Sequence, residues 1–157
     1  MKPLDPRDAW TLLSPDASAS LDLPRWMHAA RTFLSAELSS HGDSPQGEHL
    51  VGVAPSRDVS KVTIVRVRTI SLDEAPSLRD AADAGVRAIG GAGMDALVAK
   101  ARRAWQIARN VEGDARAPLV LAATLATVML APIVPPDEVT IYGVRGARVR
   151  LDRLGWV

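Results

Sequence analysis

Between Arg116 and Asp137 lie twenty consecutive residues without a charge, Ala117 to Pro136 (APLVLAATLATVMLAPIVPP). A run of that length raises the choice between a bilayer and a protein interior. Pro118 near one end and Pro132, Pro135 and Pro136 near the other confine an uninterrupted helix to about Leu119–Ala131. At 1.5 Å per residue such a helix spans roughly 20 Å, short of a hydrocarbon core of about 30 Å. Its Ala and Thr also partition into lipid far less readily than Leu, Ile or Phe. A helix apolar on nearly every side must be buried on every side. The segment is therefore expected to be the central helix of a soluble domain, with other elements packed around it.

A chain of 157 residues suits one domain, 1–157, large enough for a proper core. Hydrophobic content of 47% with 24% charged residues excludes wholesale disorder. The absence of cysteine excludes disulfides, thiolate metal sites, iron–sulfur clusters and a cysteine nucleophile. The opening MKPLDPRDAW carries two acids and two prolines where an export signal needs an apolar stretch, so a cytoplasmic location is expected. A net charge of +1 gives no global attraction to nucleic acid or membrane. Of nineteen basic residues three are lysine and sixteen arginine, alongside abundant alanine. That bias is expected of a GC-rich bacterial genome, and it lowers the weight of any single arginine.

Asp5-Pro6 has the form of a helix start and predicts a short helix through Trp10 and Leu13. Asp22 with Pro24 predicts a second helix over about 23–39, with Trp26, Met27, Ala30, Phe33, Leu34 and Leu38 on one face. Residues 41–48 have loop composition, and 50–53 suit a short strand. The β-branched run 61–70 predicts a strand, with Val65 and Val67 on one face and Ile64, Arg66 and Arg68 on the other. Helices are expected over about 76–89 and 94–109, separated by Gly90, Gly91 and Gly93. Beyond the prolines, 139–144 and 147–151 alternate as a hairpin turning near Arg145-Gly146, and Trp156 is expected to fold back over an edge. Blocks of helices and strands with short turns indicate an α+β domain with a small, mainly antiparallel sheet.

Three clusters are candidates for function. Arg66-Val67-Arg68 and Arg148-Val149-Arg150 each place two arginines on one face of an expected strand. In one sheet, these four guanidinium groups would form a partner- or anion-binding face. Tyr142 is the only aromatic on an expected strand, so stacking platforms for RNA or single-stranded DNA are lacking. His41, Asp43, Glu48 and His49 bring two imidazoles and two carboxylates within nine residues, a ligand set suited to a divalent metal. Their spacing matches no helical metal motif, and a solvated polar loop explains them better than a metal site does. Gly90, Gly91 and Gly93 follow a helix instead of a strand, so an interhelical turn accounts for them better than a phosphate cradle.

No serine stands in a recognisable nucleophile context. The reading favoured by these residues is a non-enzymatic adaptor or subunit of a larger bacterial assembly. It would bind a protein partner or a second copy of itself, with no cofactor and no membrane. Two alternatives remain open: a metal-dependent hydrolase or small-ligand enzyme using the 41–49 loop, and a nucleic-acid-associated accessory protein using the Arg-x-Arg strands.

Overall fold

A computed structural model describes residues 1–156. It is an α+β domain of six strands and five α-helices. The strands are β1 (Ala9–Ser14), β2 (Ala36–Asp43), β3 (His49–Pro55), β4 (Thr63–Ser71), β5 (Arg103–Ala108) and β6 (Ile133–Val134). The helices are α1 (Leu23–Leu34), α2 (Pro76–Ala88), α3 (Met94–Lys100), α4 (Ala117–Met129) and α5 (Val144–Arg153). The strands form one antiparallel sheet in the order β2-β3-β4-β5-β1-β6.

Two cores sandwich this sheet. Leu12, Val51, Val53, Val65, Val67, Trp105 and Ile107 point to one side, where α1, α4 and α5 cover them. Leu13, Ile70, Ala104 and Val134 point to the other, beneath α2 and α3. Adjacent residues Leu12 and Leu13 thus enter different cores, as the two-residue period of a strand requires. The first thirteen residues of the charge-free segment form α4, with Ala117–Ala126 buried, and β6 lies in its remainder. The helix packs between α1 and α5 against the sheet, as one member of a three-helix layer. Its hydroxyls are satisfied within the helix, Thr124 donating to Val120 O (2.9 Å) and Thr127 to Ala123 O (2.8 Å). Among the described residues no helix is long and apolar enough to cross a membrane.

Four expected elements differ from those observed. Asp5 does cap a turn, accepting from Arg7 N, but that turn ends at Asp8 and 9–14 is strand β1. α1 stops at Leu34, where Ser35 takes a left-handed conformation (φ 49°), so Leu38 lies on β2 and Phe33 is exposed. α3 ends at Lys100, and 103–108 is β5, between β4 and β1. Ala104 to Ala108 are all buried, so both faces of this strand lie inside, and the helical spacing of Val98, Ala101, Trp105 and Ala108 was coincidental. The expected C-terminal hairpin is instead helix α5, closed by Gly155 (φ 76°) with Trp156 N donating to Leu151 O (3.0 Å). Gly146 is no turn residue. A Cβ there would sit 2.6 Å from Tyr142 Cβ, so the glycine lets α5 approach the tyrosine. Trp156 folds back into the first core, where its indole donates to Leu34 O (2.7 Å) at the end of α1.

Candidate functional site

Helices α2 and α3 lie over only part of their face of the sheet. The second core takes residues from β1, β5, β6 and the end of β4, and none from β2 or β3. On the remaining part, register places Leu50 opposite Arg66, Gly52 opposite Ile64, Ser39 opposite Gly52 and Arg68 opposite Gln106. Strand alternation explains the arginines. With Val65 and Val67 fully buried in the first core, Ile64, Arg66 and Arg68 must face the other way. Ile64 and the neighbouring Val62 are 38% and 43% exposed. At Gly52 the Ser39, His41 and Val62 side chains fill the place a Cβ would take, His41 Nε2 and Val62 Cγ1 lying 2.6 and 2.8 Å from it, so a larger residue there would displace them.

The arginines share one buried carboxylate. Glu48 is 1% exposed; its Oε2 accepts from Arg68 Nε (3.1 Å) and Nη2 (2.9 Å), and its Oε1 from Arg66 Nη1 (3.5 Å). One carboxylate against two guanidinium groups leaves a net positive charge, carried to the surface by Arg66, whose side chain is 42% exposed. Arg68 is more enclosed. Its Nη1 donates to Lys2 O (2.6 Å), so the N-terminal strap crosses over it. Buried Gln106 holds that strap, accepting from Leu4 N (2.7 Å) and donating to Leu4 O (2.9 Å).

The surface continues past Val62 into a cleft of about 310 Å³ whose walls include Arg57, Asp58, Lys61, Asp114 and Arg116. Its two acids are both internally occupied. The Ser60 hydroxyl and then the nearby Lys61 hold the Asp58 carboxyl below its usual range, and the Arg116 guanidinium does the same for Asp114. Arg57 has no carboxylate partner among the described residues.

Arg148 and Arg150 do not join this surface. They lie on α5, which packs on the opposite side of the sheet through Ala147 and Leu151, so the expected four-arginine face does not form. Arg148 is exposed, and Arg150 pairs with Glu138 (2.9 Å). The 41–49 set is likewise divided. Glu48 is held by the arginines, His49 Nδ1 pairs with Asp43 (3.0 Å), and His41 Nε2 pairs with Ser39 Oγ (3.0 Å). Among the described residues no three His, Cys, Asp or Glu side chains come together as a metal site. The sequence reading missed Glu48 as the arginines' counter-ion, although its place just before β3 sets it beside them once β3 and β4 pair. Nothing local announced the strap.

Comparison with protein-family models, with curated proteins and with solved structures finds no match to this chain.

Proposed function

We propose that this chain is a non-catalytic subunit of a larger bacterial assembly, docking an acidic protein surface on the uncovered β2–β3–β4 face. The observation that carries this reading is the half-covered sheet. Helices shield one part of the face, while Ile64, Val62 and Arg66 stand exposed on the other. An apolar centre flanked by cations is the composition of an interface that gains affinity from burial and orientation from charge. Arg57, Lys61, Arg66, Arg68 and Arg116 outnumber Asp58, Glu48 and Asp114 across this region. No Trp, Tyr or Phe belongs to it, which favours an acidic protein over nucleic acid. Both sheet edges are blunted, β2 by an irregular register between Ser40 and Asp43 and β6 by its length of two residues, so the face is the docking element.

The test is photo-cross-linking in the native host from a reactive residue at position 64, with position 148 as the control. The expected result is a discrete adduct from 64 alone, weakened about tenfold by Arg66→Glu, the size of a close charge reversal. Adducts that are identical from both positions, or unaffected by the charge reversal, contradict the reading.

A further inference from the structure

Where β1 ends, the chain passes through the irregular segment 15–22 before α1 begins. Between that segment, the first turn of α1 and the end of α4 lies a cleft of about 360 Å³. Every second residue from 14 to 22 lines it: Ser14, Asp16, Ser18, Ser20 and Asp22. All five are polar, so the stripe follows the two-residue period of a drawn-out chain. Arg103 fixes the segment in place, its Nε donating to Ala17 O (2.7 Å) and its Nη1 to Thr69 Oγ1 (3.2 Å). The opposite wall is Val128 and Met129, joined to α1 by Arg25, whose Nη2 donates to Val128 O (3.2 Å).

The floor is aromatic and holds unused donors. Trp26 of α1 and Trp105 of β5 meet edge to face, centroids 5.4 Å apart, and each is 2% exposed. The Trp156 indole donates to Leu34 O, but neither of these two has an acceptor among the described residues. Tyr142 Oη is the one fully enclosed side-chain N or O without a partner among those residues, so both unpaired indole nitrogens keep a window to solvent. The opening that the two rings share is this cleft, and their N–H groups reach it there. Tryptophans buried to this degree ordinarily pair their N–H within the protein, so two that turn theirs to one cleft call for a partner in it. Ser14, 1% exposed, adds a third donor: its Oγ accepts from Asp16 N (3.2 Å), and its proton has no acceptor among the described residues.

We propose that this cleft binds a small neutral polyol of monosaccharide size. The floor supplies donors and the stripe supplies acceptors. Asp16 and Asp22 each spend Oδ1 on a backbone N–H, of Ser18 and Arg25, and keep Oδ2 unpaired among the described residues. A hydroxyl both accepts and donates, so one ligand hydroxyl takes an indole proton and gives its own to a carboxylate. An anion suits the indoles but meets two acids against one arginine, and an ammonium ion sets N–H against N–H at the floor. The carbon face of a sugar lies against Val128 and Met129. Ligand pockets run from about 300 to 1,000 Å³, so a cleft near the bottom of that range takes a single ring.

The experiment titrates the full chain with D-glucose, D-galactose and D-mannose, following the Trp26 and Trp105 indole N–H signals by NMR, with sulfate and putrescine as charged controls. At least one sugar is expected to shift both signals saturably, while the Trp156 indole, bonded to Leu34 O, stays fixed. Its affinity should fall about tenfold in Asp16→Ala, the effect of one lost hydrogen bond to a charged group, and stay unchanged in Asp80→Ala on α2. Asp16 is exposed, and an unaltered Trp156 signal shows its variant to be folded. Three results overturn the proposal: no saturable shift at either indole up to about 50 mM of any of the three sugars, well above the millimolar range that a few hydrogen bonds reach; sulfate or putrescine shifting both indoles as strongly as the best sugar; or a sugar affinity that Asp16→Ala leaves unchanged or raises, as the loss of an acid does for an anion.

Discussion

The tripeptide Arg-Val-Arg occurs at 66–68 and again at 148–150, once as strand and once as helix. On β4 the two-residue period puts both arginines on one face, around Glu48, and drives Val67 into the core at 0% exposure. On α5 the same residues spread around a cylinder. Arg148 goes to solvent, Arg150 turns onto Tyr142 and Glu138, and Val149 is left 41% exposed. The local code is identical, and the surroundings decide. β4 finds two strands to pair with, whereas Ala147 and Leu151 find α4. The acid paired with each copy also differs, one fully buried and the other half in water.

That contrast can be broken most forcefully at the acids. Glu48→Gln should lower stability by about 3 kcal/mol, because it leaves Arg68 enclosed without its counter-charge. Glu138→Gln should cost below about 1 kcal/mol, since its pair with Arg150 is substantially hydrated. Urea denaturation of both variants measures the pair, and equal losses would erase the distinction.

Alkaline titration sharpens the helical side. Tyr142 is the only tyrosine, and burial pushes its pKa up to about 12, a rise that Arg150 partly offsets. An unfolded tyrosine ionises near 10, so between about 10 and 12 the folded chain retains a proton that the unfolded chain has lost. Stability should therefore be unaffected by this group below about pH 10 and fall by about 2 to 3 kcal/mol by pH 12. Ultraviolet absorbance of tyrosinate reads the pKa directly, and Arg150→Gln should raise it further. An ionisation near 10 would show the ring to be solvated.

The two valines give the next contrast. Val67→Ala removes methyl groups from a closed core and should cost about 2 kcal/mol. Val149→Ala should change stability by less than about 0.5 kcal/mol, being half-exposed on a helix where alanine is the better former. Smallest of all, Arg148→Ala should fall within about 0.5 kcal/mol of zero. Melting curves of the three variants suffice to rank them.

Sequence alone made the α+β class, strand β4 with its two faces, and helices α2 and α4 legible, because each carries a long, consistent period or sharp proline boundaries. β1 and β5 were hidden for a common reason. Both lie inside the sheet with neighbours far away in the chain, so burial on both sides erases the alternation that marks a strand. α5 was hidden by its arginines, whose spacing mimicked a strand while Ala147 and Leu151 carried the helical signal. Of the candidate site, Arg66 and Arg68 could be read from β4's alternation. Their union with Glu48, and the strap pinned by Gln106, depend on pairing that no local pattern encodes.

The account rests on the sheet face beside Arg66 being open to water and the opposite face being closed. Methyl NMR with a soluble paramagnetic probe tests this directly. Ile64 and Val62 are predicted to relax strongly, while Val65 and Val67, one and three residues beyond Ile64 in the chain, stay unaffected. Ile64 as protected as Val67 would contradict it.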